Sequence, residues 1–255
     1  MGAVHVASKK VSPAKASTAK DVEGALRKLA DPDRAAQMQR FFKTGPAEYG
    51  SGDKMLGISV PLQRAVARQY KDIAVADALT LLHSPWHEVR LTALFLLVHR
   101  FQKGDAAQRR IVFDGYLANL AHVNNWDLVD SSAPYIVGGF TANNPMPLLK
   151  RLVKSKRLWD RRVAAISTLH HLTHGSAIPT VFVATALLHD QEDLIHKATG
   201  WMLREMGTRV SITALRAFLD EHAATMPRTM LRYALEKLDA TEKLRYMAAG
   251  RKTQA

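Results

Sequence analysis

The sequence predicts an all-α fold, an α-solenoid of stacked helix pairs with a concave basic face. Three observations predict it. Apolar residues recur at helical spacing, no segment keeps the alternation of a β-strand, and one short motif returns several times along the chain. Because a helix pair cannot bury its apolar face alone, successive pairs are expected to stack around one continuous core.

The composition limits the class of protein. The chain has 255 residues, of which 47% are hydrophobic, and no apolar run reaches the ~20 residues of a membrane span. It contains no cysteine, which excludes disulfides and thiolate metal sites. The N-terminus lacks the apolar core of a secretion signal. We therefore expect a cytoplasmic protein (nucleoid-associated if it is bacterial), monomeric, with no membrane contact, cofactor or metal.

The charge balance favours a polyanionic partner. The formal net charge is +13; residues 1–20 carry four lysines and no acid, so the body keeps a net charge of +9. A basic folded body indicates a shaped surface for nucleic acid more strongly than a basic tail does. Residues 1–20 have too little apolar density to fold, and we predict a disordered basic arm followed by a single domain over residues 21–250.

The first elements follow from spacing and from breaker residues. Helices are predicted from Asp21 to the Asp31–Pro32 break with Val22, Leu26 and Leu29 inward, from Asp33 to Phe42, and from about Leu62 to Gln69. The segment 43–53 is dense in turn-forming residues and reads as a loop. Its glycines lack the Gly-Lys-Ser/Thr ending of a phosphate-binding loop, so nucleotide binding is not expected there.

The returning motif occurs as HEVRLTA, DLVDSSA, DRRVAA, IHKATG and MPRTML. It places one residue of each repeat in an equivalent position, at intervals of 40, 32, 35 and 31 residues. A drifting period of this size is typical of HEAT-like helix pairs. The equivalent residues are Arg90, Asp130, Arg162, Lys197 and Arg228. Four cations along one face suit a phosphate backbone, although five solvated helix starts would give the same pattern. The single acid, Asp130, departs from the row.

Asp130 lies one helical turn after Trp126, and apolar positions are expected to continue that helix through Ala133, Ile136 and Val137. An acid at a core-facing position is costly to bury unless it has a partner or a chemical task. Asp130 therefore either accepts a hydrogen bond from a neighbouring helix terminus or takes part in catalysis. If the pairs stack, Trp126, Asp130, Arg162 and Trp201 come from three successive repeats and meet in one cleft.

Four motifs in this order identify a resemblance. They are Met55–Pro61 (MLGISVP), Asn125–Asp130 (NWDLVD), Leu158–Arg162 (LWDRR) and Lys197–Glu205 (KATGWMLRE). The chain resembles the AlkD-type DNA alkylation repair enzymes, glycosylases built from HEAT-like repeats that act on N3- and N7-alkylated purines. The resemblance extends from about Phe41 to Tyr246. It departs from the family at Phe41 or Phe42, where some relatives have a tyrosine, and at Asn125, where some have a second aromatic residue.

The resemblance implies roles for individual residues. Trp126 and Trp201 correspond to the tryptophans that contact the damaged nucleotide, Asp130 to the acid needed for excision, and Arg162 to the arginine that grips the DNA backbone. The predicted catalytic residues are thus Asp130, Trp126 and Trp201. The predicted DNA-binding residues are Arg162, Arg161, Lys197, Arg204, Arg90, Arg228 and Phe41.

The implied function is hydrolysis of the N-glycosidic bond of alkylated purines in double-stranded DNA, without strand cleavage because no lyase lysine is recognised. One alternative is a non-catalytic HEAT-repeat protein that binds distorted or branched DNA and needs the cations but not Asp130. Another is a protein-interaction scaffold, a common use of α-solenoids. His170 and His174 have the spacing of a metal-binding helix, but no glutamate follows His170 as a zincin requires, and no metal site is predicted.

Overall fold

The protein is described by a computed structural model that covers residues 17–249. The predicted arm, residues 1–20, falls mostly outside the described residues, and the first helix already begins at Ala19. The helices, in chain order, are α1 (Ala19–Arg27), α2 (Pro32–Phe41), α3 (Val60–Gln69), α4 (Val75–Leu81), α5 (His87–Lys103), α6 (Ala106–Ala118), α7 (Trp126–Asp130), α8 (Met146–Leu152), α9 (Leu158–Thr173), α10 (Ile178–Ala186), α11 (Asp193–Arg209), α12 (Ile212–His222), α13 (Arg228–Leu235) and α14 (Ala240–Ala249).

The all-α prediction is confirmed. Between residues 17 and 249 the β-structure consists of one isolated bridge between Lys54 and Trp86, with a 3-10 turn (Leu120–His122) and a π-helical segment (Pro134–Gly138) completing the helical elements. No helix of the described chain is both long and apolar enough to cross a membrane. The predicted starts of the first three helices agree with the structure to within two residues, and Val22 and Leu26 are buried as expected. Leu29 is not, because it lies beyond the end of α1, 38% exposed.

The helices stack as two rows. A central row consists of α5, α7 with the π-helical segment, α9, α11 and α13, each in contact with the next. An outer row of α4, α6, α8, α10 and α12 packs against it, and α3 packs against the start of the stack on α5. The recurring motif lies at the starts of successive central-row helices: its residue is the fourth or fifth of α5, α7, α9 and α11, and Arg228 is the first of α13.

Helix α11 joins two parts of the apolar core. Ile195, Ala198 and Met202 pack with the larger cluster, which extends back to α1. Leu203 and Met206 pack with a second cluster formed by α12, α13 and α14. The core therefore has two parts, and α11 contributes one face to each.

The prediction that one helix continues from Trp126 through Val137 is wrong in one respect. Ala133, Ile136 and Val137 are fully buried, as predicted. However, α7 ends at Asp130, and the π-helical segment comes after it. Pro134 accounts for the break, because it has no backbone N–H to donate to the carbonyl of Asp130. Asp130 thus lies at a helix end rather than within a continuous helix.

The loop before α3 is fixed by a buried carboxylate. Glu88 in the first turn of α5 is fully buried and accepts backbone N–H groups of Leu56 (2.9 Å), Gly57 (2.7 Å) and Ile58 (3.2 Å). Gly57 has a φ of +83°, and a Cβ there would lie 2.0 Å from the carbonyl oxygen of Asp31. Only glycine lets the loop approach the start of α2 so closely. The loop therefore sets the position of α2 relative to α5.

We expect Glu88→Gln to lower the free energy of unfolding by about 2 kcal/mol or more. The NH2 group of glutamine cannot accept a hydrogen bond, so it leaves buried backbone N–H groups without an acceptor. Urea denaturation measures the loss. The matched control is Glu221→Gln, the same change on a side chain that is 75% exposed. Equal stability of both variants would contradict the assigned role of Glu88.

Candidate functional site

A cleft of ≈ 470 Å³ opens at the N-terminal ends of the central-row helices. This aromatic cleft is lined by Phe41, Tyr49, Trp126, Asp130, Arg162, Leu194, Lys197, Trp201 and Tyr233. Trp126, Asp130, Arg162 and Trp201, which the sequence predicted would meet, thus all line one cleft. Their convergence follows from the stacking of α7, α9 and α11.

Asp130 is held by Arg162 through both carboxylate oxygens. The Arg162 Nε lies 2.9 Å from Oδ1 and its Nη2 lies 2.7 Å from Oδ2, while Nη1 donates to the carbonyl of Leu194 at 2.6 Å. The Arg162 side chain is 6% exposed and that of Asp130 17%. Burial raises the pKa of Asp130 above its ordinary value, and the guanidinium opposes this shift. The partner of Asp130 is therefore a side chain of the next repeat, not a helix terminus.

Aromatic contacts fix the two tryptophans. The Phe42 ring stacks on Trp126 with a centroid distance of 5.4 Å and an interplanar angle of 15°. Phe41, 64% exposed, meets the Trp126 ring edge-on at 5.9 Å. The Trp201 Nε1 donates to Oε1 of Glu205 at 3.1 Å. Each indole that lines the cleft is thus held by a side-chain contact, Trp126 by the two phenylalanines and Trp201 by Glu205 of its own helix.

The cations predicted to bind DNA are already paired within the protein, which differs from the alternative of solvated helix starts. Arg90, 4% exposed, lies 2.7 Å from Asp53 and donates to the carbonyl of Ser84. Burial of Arg90 leaves it no surface for a phosphate in this conformation. The other pairings are Arg161 with Asp190 (2.6 Å), Lys197 with Asp193 (2.8 Å), Arg204 with Glu205 (3.1 Å) and Glu236, and Arg228 with the carbonyl of Met247 (2.9 Å). For the buried members of this set, a counter-charge or acceptor offsets the cost of removing the cation from water.

The comparison with protein families agrees with the resemblance. Residues 22–238 match the family model described as DNA alkylation repair enzyme. The chain belongs to this family. Membership supports a role in DNA repair. Among solved structures, one described as "Predicted DNA alkylation repair enzyme from Enterococcus faecalis" aligns with a TM-score of 0.65 and 17% sequence identity, over 83% of this chain and 98% of that one. At this identity the likeness is one of fold. No curated protein matched the chain.

A buried charged network holds the start of α7, the helix that carries Trp126 and Asp130 of the aromatic cleft. His87 lies between two carboxylates, with Nδ1 3.0 Å from Asp53 and Nε2 2.8 Å from Asp127, the residue after Trp126. Burial alone lowers the pKa of His87, but Asp127 and Asp53 outweigh it and raise the pKa to about 9. The protonated imidazole therefore ties the 43–53 loop to the start of α7.

Sequence reasoning missed several residues of the site. Tyr49 enters the cleft from the 43–53 loop, where its ring meets Trp159 at 6.0 Å and burial raises the pKa of its hydroxyl. No motif marks Tyr49. Asp127 and Glu205, by contrast, lie inside the NWDLVD and KATGWMLRE motifs, where their acidic side chains could have been recognised. Among residues 17–249, no group of three or more His, Cys, Asp or Glu side chains could hold a metal ion.

Gly200, the residue before Trp201, allows two helices to pack closely. A Cβ at Gly200 would lie 2.4 Å from the carbonyl oxygen of Met230 in α13. The glycine therefore permits the close approach of α11 and α13, rather than leaving room beside the indole. This packing places Trp201 and Tyr233 in the same cleft wall.

We expect the network to make stability depend on pH. The folded pKa of His87, about 9, lies above the ordinary value of 6.5, so its contribution is fully present below pH 6.5 and is lost as the pH rises to about 9. The loss is on the order of 3 kcal/mol. Unfolding free energies between pH 6 and 9.5 should fall in the wild type but change much less in His87→Gln. His189→Gln, at an exposed histidine, is the control and should behave as the wild type does.

Proposed function

We propose that the protein is a DNA glycosylase that hydrolyses the N-glycosidic bond of positively charged N3- and N7-alkylated purines in duplex DNA and leaves an abasic site. The observation that carries the proposal is the Asp130 carboxylate, oriented by Arg162 and part of the wall of the aromatic cleft. Family membership supports a role in DNA repair and leaves the reaction to be tested.

The proposed reaction requires a fixed negative charge near the deoxyribose and little other assistance from the enzyme. Alkylation at N3 or N7 makes the purine cationic and a good leaving group, so the enzyme need not protonate it. Positive charge develops on the deoxyribose as the bond breaks, much as in glycoside hydrolysis. A carboxylate that is already oriented stabilises this charge and positions the attacking water. Asp130, held through both oxygens, needs no rearrangement to act in this way.

The two tryptophans suit a cationic nucleotide. An indole face attracts a cation by about 1–2 kcal/mol when the contact is desolvated. Trp126 is backed by Phe42, and Trp201 is held by Glu205, so both rings are positioned before the DNA binds. Phe41, exposed at 64%, offers an apolar contact at the rim.

The predicted backbone contacts are assigned to cations that keep some exposure and to Arg162, which is buried but lines the aromatic cleft. We propose that Arg162, Arg161, Lys197, Arg204 and Arg228 contact the DNA with donors left over from their internal pairs. Such contacts set the position of the enzyme on the duplex rather than a sequence preference. For Arg90 the buried ion pair with Asp53 supports an indirect role, through the loop that carries Tyr49.

One observation favours the non-catalytic alternative. A carboxylate fully engaged by an arginine can serve as a structural ion pair between repeats, with no chemical task. The cleft would then read distorted DNA by shape. Neutralising Asp130 distinguishes the two functions, because a glycosylase would lose its reaction rate whereas a shape reader has no rate to lose.

We expect Asp130→Asn to slow single-turnover release of 7-methylguanine from a defined duplex by about 100-fold or more, because the oriented negative charge is lost. Duplex affinity should change little. Asp114→Asn, at an exposed aspartate of α6, is the matched control and should keep the wild-type rate.

Release at the same rate by wild type and Asp130→Asn would rule out the assigned role of Asp130. Absence of release by the wild type, together with tight binding to distorted duplex, would establish the non-catalytic alternative. A covalent enzyme–DNA adduct trapped by borohydride would show that the enzyme also cleaves the strand, contrary to the monofunctional reaction proposed.

A second prediction concerns pH. Because burial raises the pKa of Asp130 and Arg162 opposes that rise, Arg162→Gln should raise the pKa further. Activity that needs the ionised carboxylate is lost as the pH falls through this pKa, so the acidic limb of the variant should lie at higher pH. Single-turnover rates between pH 4.5 and 8, each normalised to its plateau, measure the shift. Coincident acidic limbs would contradict it.

A further inference from the structure

A second cavity of ≈ 470 Å³ lies on the other side of Asp130, between α3, α5 and the π-helical segment. Asp130 belongs to the walls of both cavities. The side chains that give this second cavity, the cationic pocket, its character are Arg64, Arg68, Lys71, Phe95, His99 and Tyr135. Asp130 thus lies between an aromatic cleft and a pocket rich in positive charge.

The cations of the pocket differ from those of the central row in having no counter-charge. Arg64 and Arg68 lie one turn apart on the same face of α3, and Lys71 lies two residues after the helix ends; all three are exposed. Within residues 17–249, no carboxylate lies within ion-pair distance of any of them. The Arg64 guanidinium instead lies 4.1 Å from the centre of the Phe95 ring.

Three uncompensated cations in one concavity favour an anionic ligand. The neighbouring side chains indicate which kind of anion fits. Asp130 in the wall repels a small anion at that end of the pocket, whereas a polyanion can place its charges at the α3 side. Phe95 and Tyr135, the latter 48% exposed, add apolar surface of the kind that contacts a sugar or a base. Duplex DNA carries about one negative charge per 1.7 Å of its axis and matches this combination.

We propose that the cationic pocket binds the phosphodiester of a nucleotide flanking the lesion, in the same duplex whose damaged nucleotide occupies the aromatic cleft. The presence of a lesion in the cleft rests on the proposed function; the binding of duplex backbone by α3 does not. The pocket holds the backbone on one side of Asp130 and the cleft contacts the damaged nucleotide on the other, so the two together set which sugar faces the carboxylate.

The test compares two triple variants with equal loss of charge. The first is Arg64→Gln, Arg68→Gln and Lys71→Gln, in the cationic pocket. The control is Lys150→Gln, Arg151→Gln and Lys154→Gln, at three cations in and just after α8 of the outer row. Binding of the full chain to a duplex with an uncleavable abasic analogue is measured at several salt concentrations.

We expect the pocket variant to bind at least about 10-fold more weakly, and its slope of log affinity against log salt to be shallower by about 2–3, since each phosphate contact contributes about 0.9. The control should change the slope by less than about 1. Equal effects of the two variants, or an unchanged slope in the pocket variant, would overturn the proposal.

Single neutral methylphosphonates, placed in turn on both strands around the lesion analogue, locate the contact. The wild type should lose affinity at one or two positions beside the lesion, where Arg68→Gln should show no further loss, because the same interaction is already absent. Additive losses at every position would overturn the assignment.

The binding measurements separate this inference from the proposed function. If the wild type releases no 7-methylguanine but the slope and methylphosphonate results hold, the glycosylase proposal fails and the pocket stands as a backbone site. If release proceeds normally in wild type and pocket variant alike and the slopes agree, the pocket inference fails alone.

Discussion

The bidentate ion pair between Asp130 and Arg162 is the interaction on which the rest of the site depends. Helix α7 has only five residues, is preceded by the buried cap Asn125 and is broken by Pro134. So short a helix has little stability of its own. It is fixed by its neighbours: Arg162 of α9 holds its last residue and His87 of α5 holds its second, Asp127. These two contacts place Trp126 and Asp130 relative to each other and to the stack.

Other buried charged side chains at the ends of the central row also form ion pairs. Arg90 and His87 meet Asp53, and Arg161 meets Asp190, each across a gap of many residues in the sequence. Buried pairs of this kind add little net stability, because desolvation offsets the attraction, but breaking one leaves an isolated buried charge. A buried pair therefore disfavours any arrangement of the helices that would separate its partners. A cleft built from three repeats requires such a fixed arrangement.

The sequence predicted the features that depend on periodicity. Helical spacing defines which face of a segment is buried, and the recurring motif defines which positions are equivalent, so the all-α stack and the meeting of Trp126, Asp130, Arg162 and Trp201 were both predicted. It did not predict partners, because a charge pair joins residues that no local pattern connects. Arg90 was therefore expected at the surface and is buried, and Tyr49 was assigned to a loop without a role.

The distribution of partners separates two kinds of cation that composition alone cannot distinguish. Positive charges of the central row are largely neutralised by carboxylates of the protein, so they orient side chains of the cleft and add little long-range attraction for DNA. The uncompensated charges on and just after α3 keep their long-range attraction for DNA. A carboxylate placed between the two regions disfavours phosphate beside itself and favours a cationic sugar. The uncompensated charges on α3 therefore favour phosphate at the α3 side of the cationic pocket, since a phosphate beside Asp130 would oppose ionisation of the carboxyl that the proposed reaction requires.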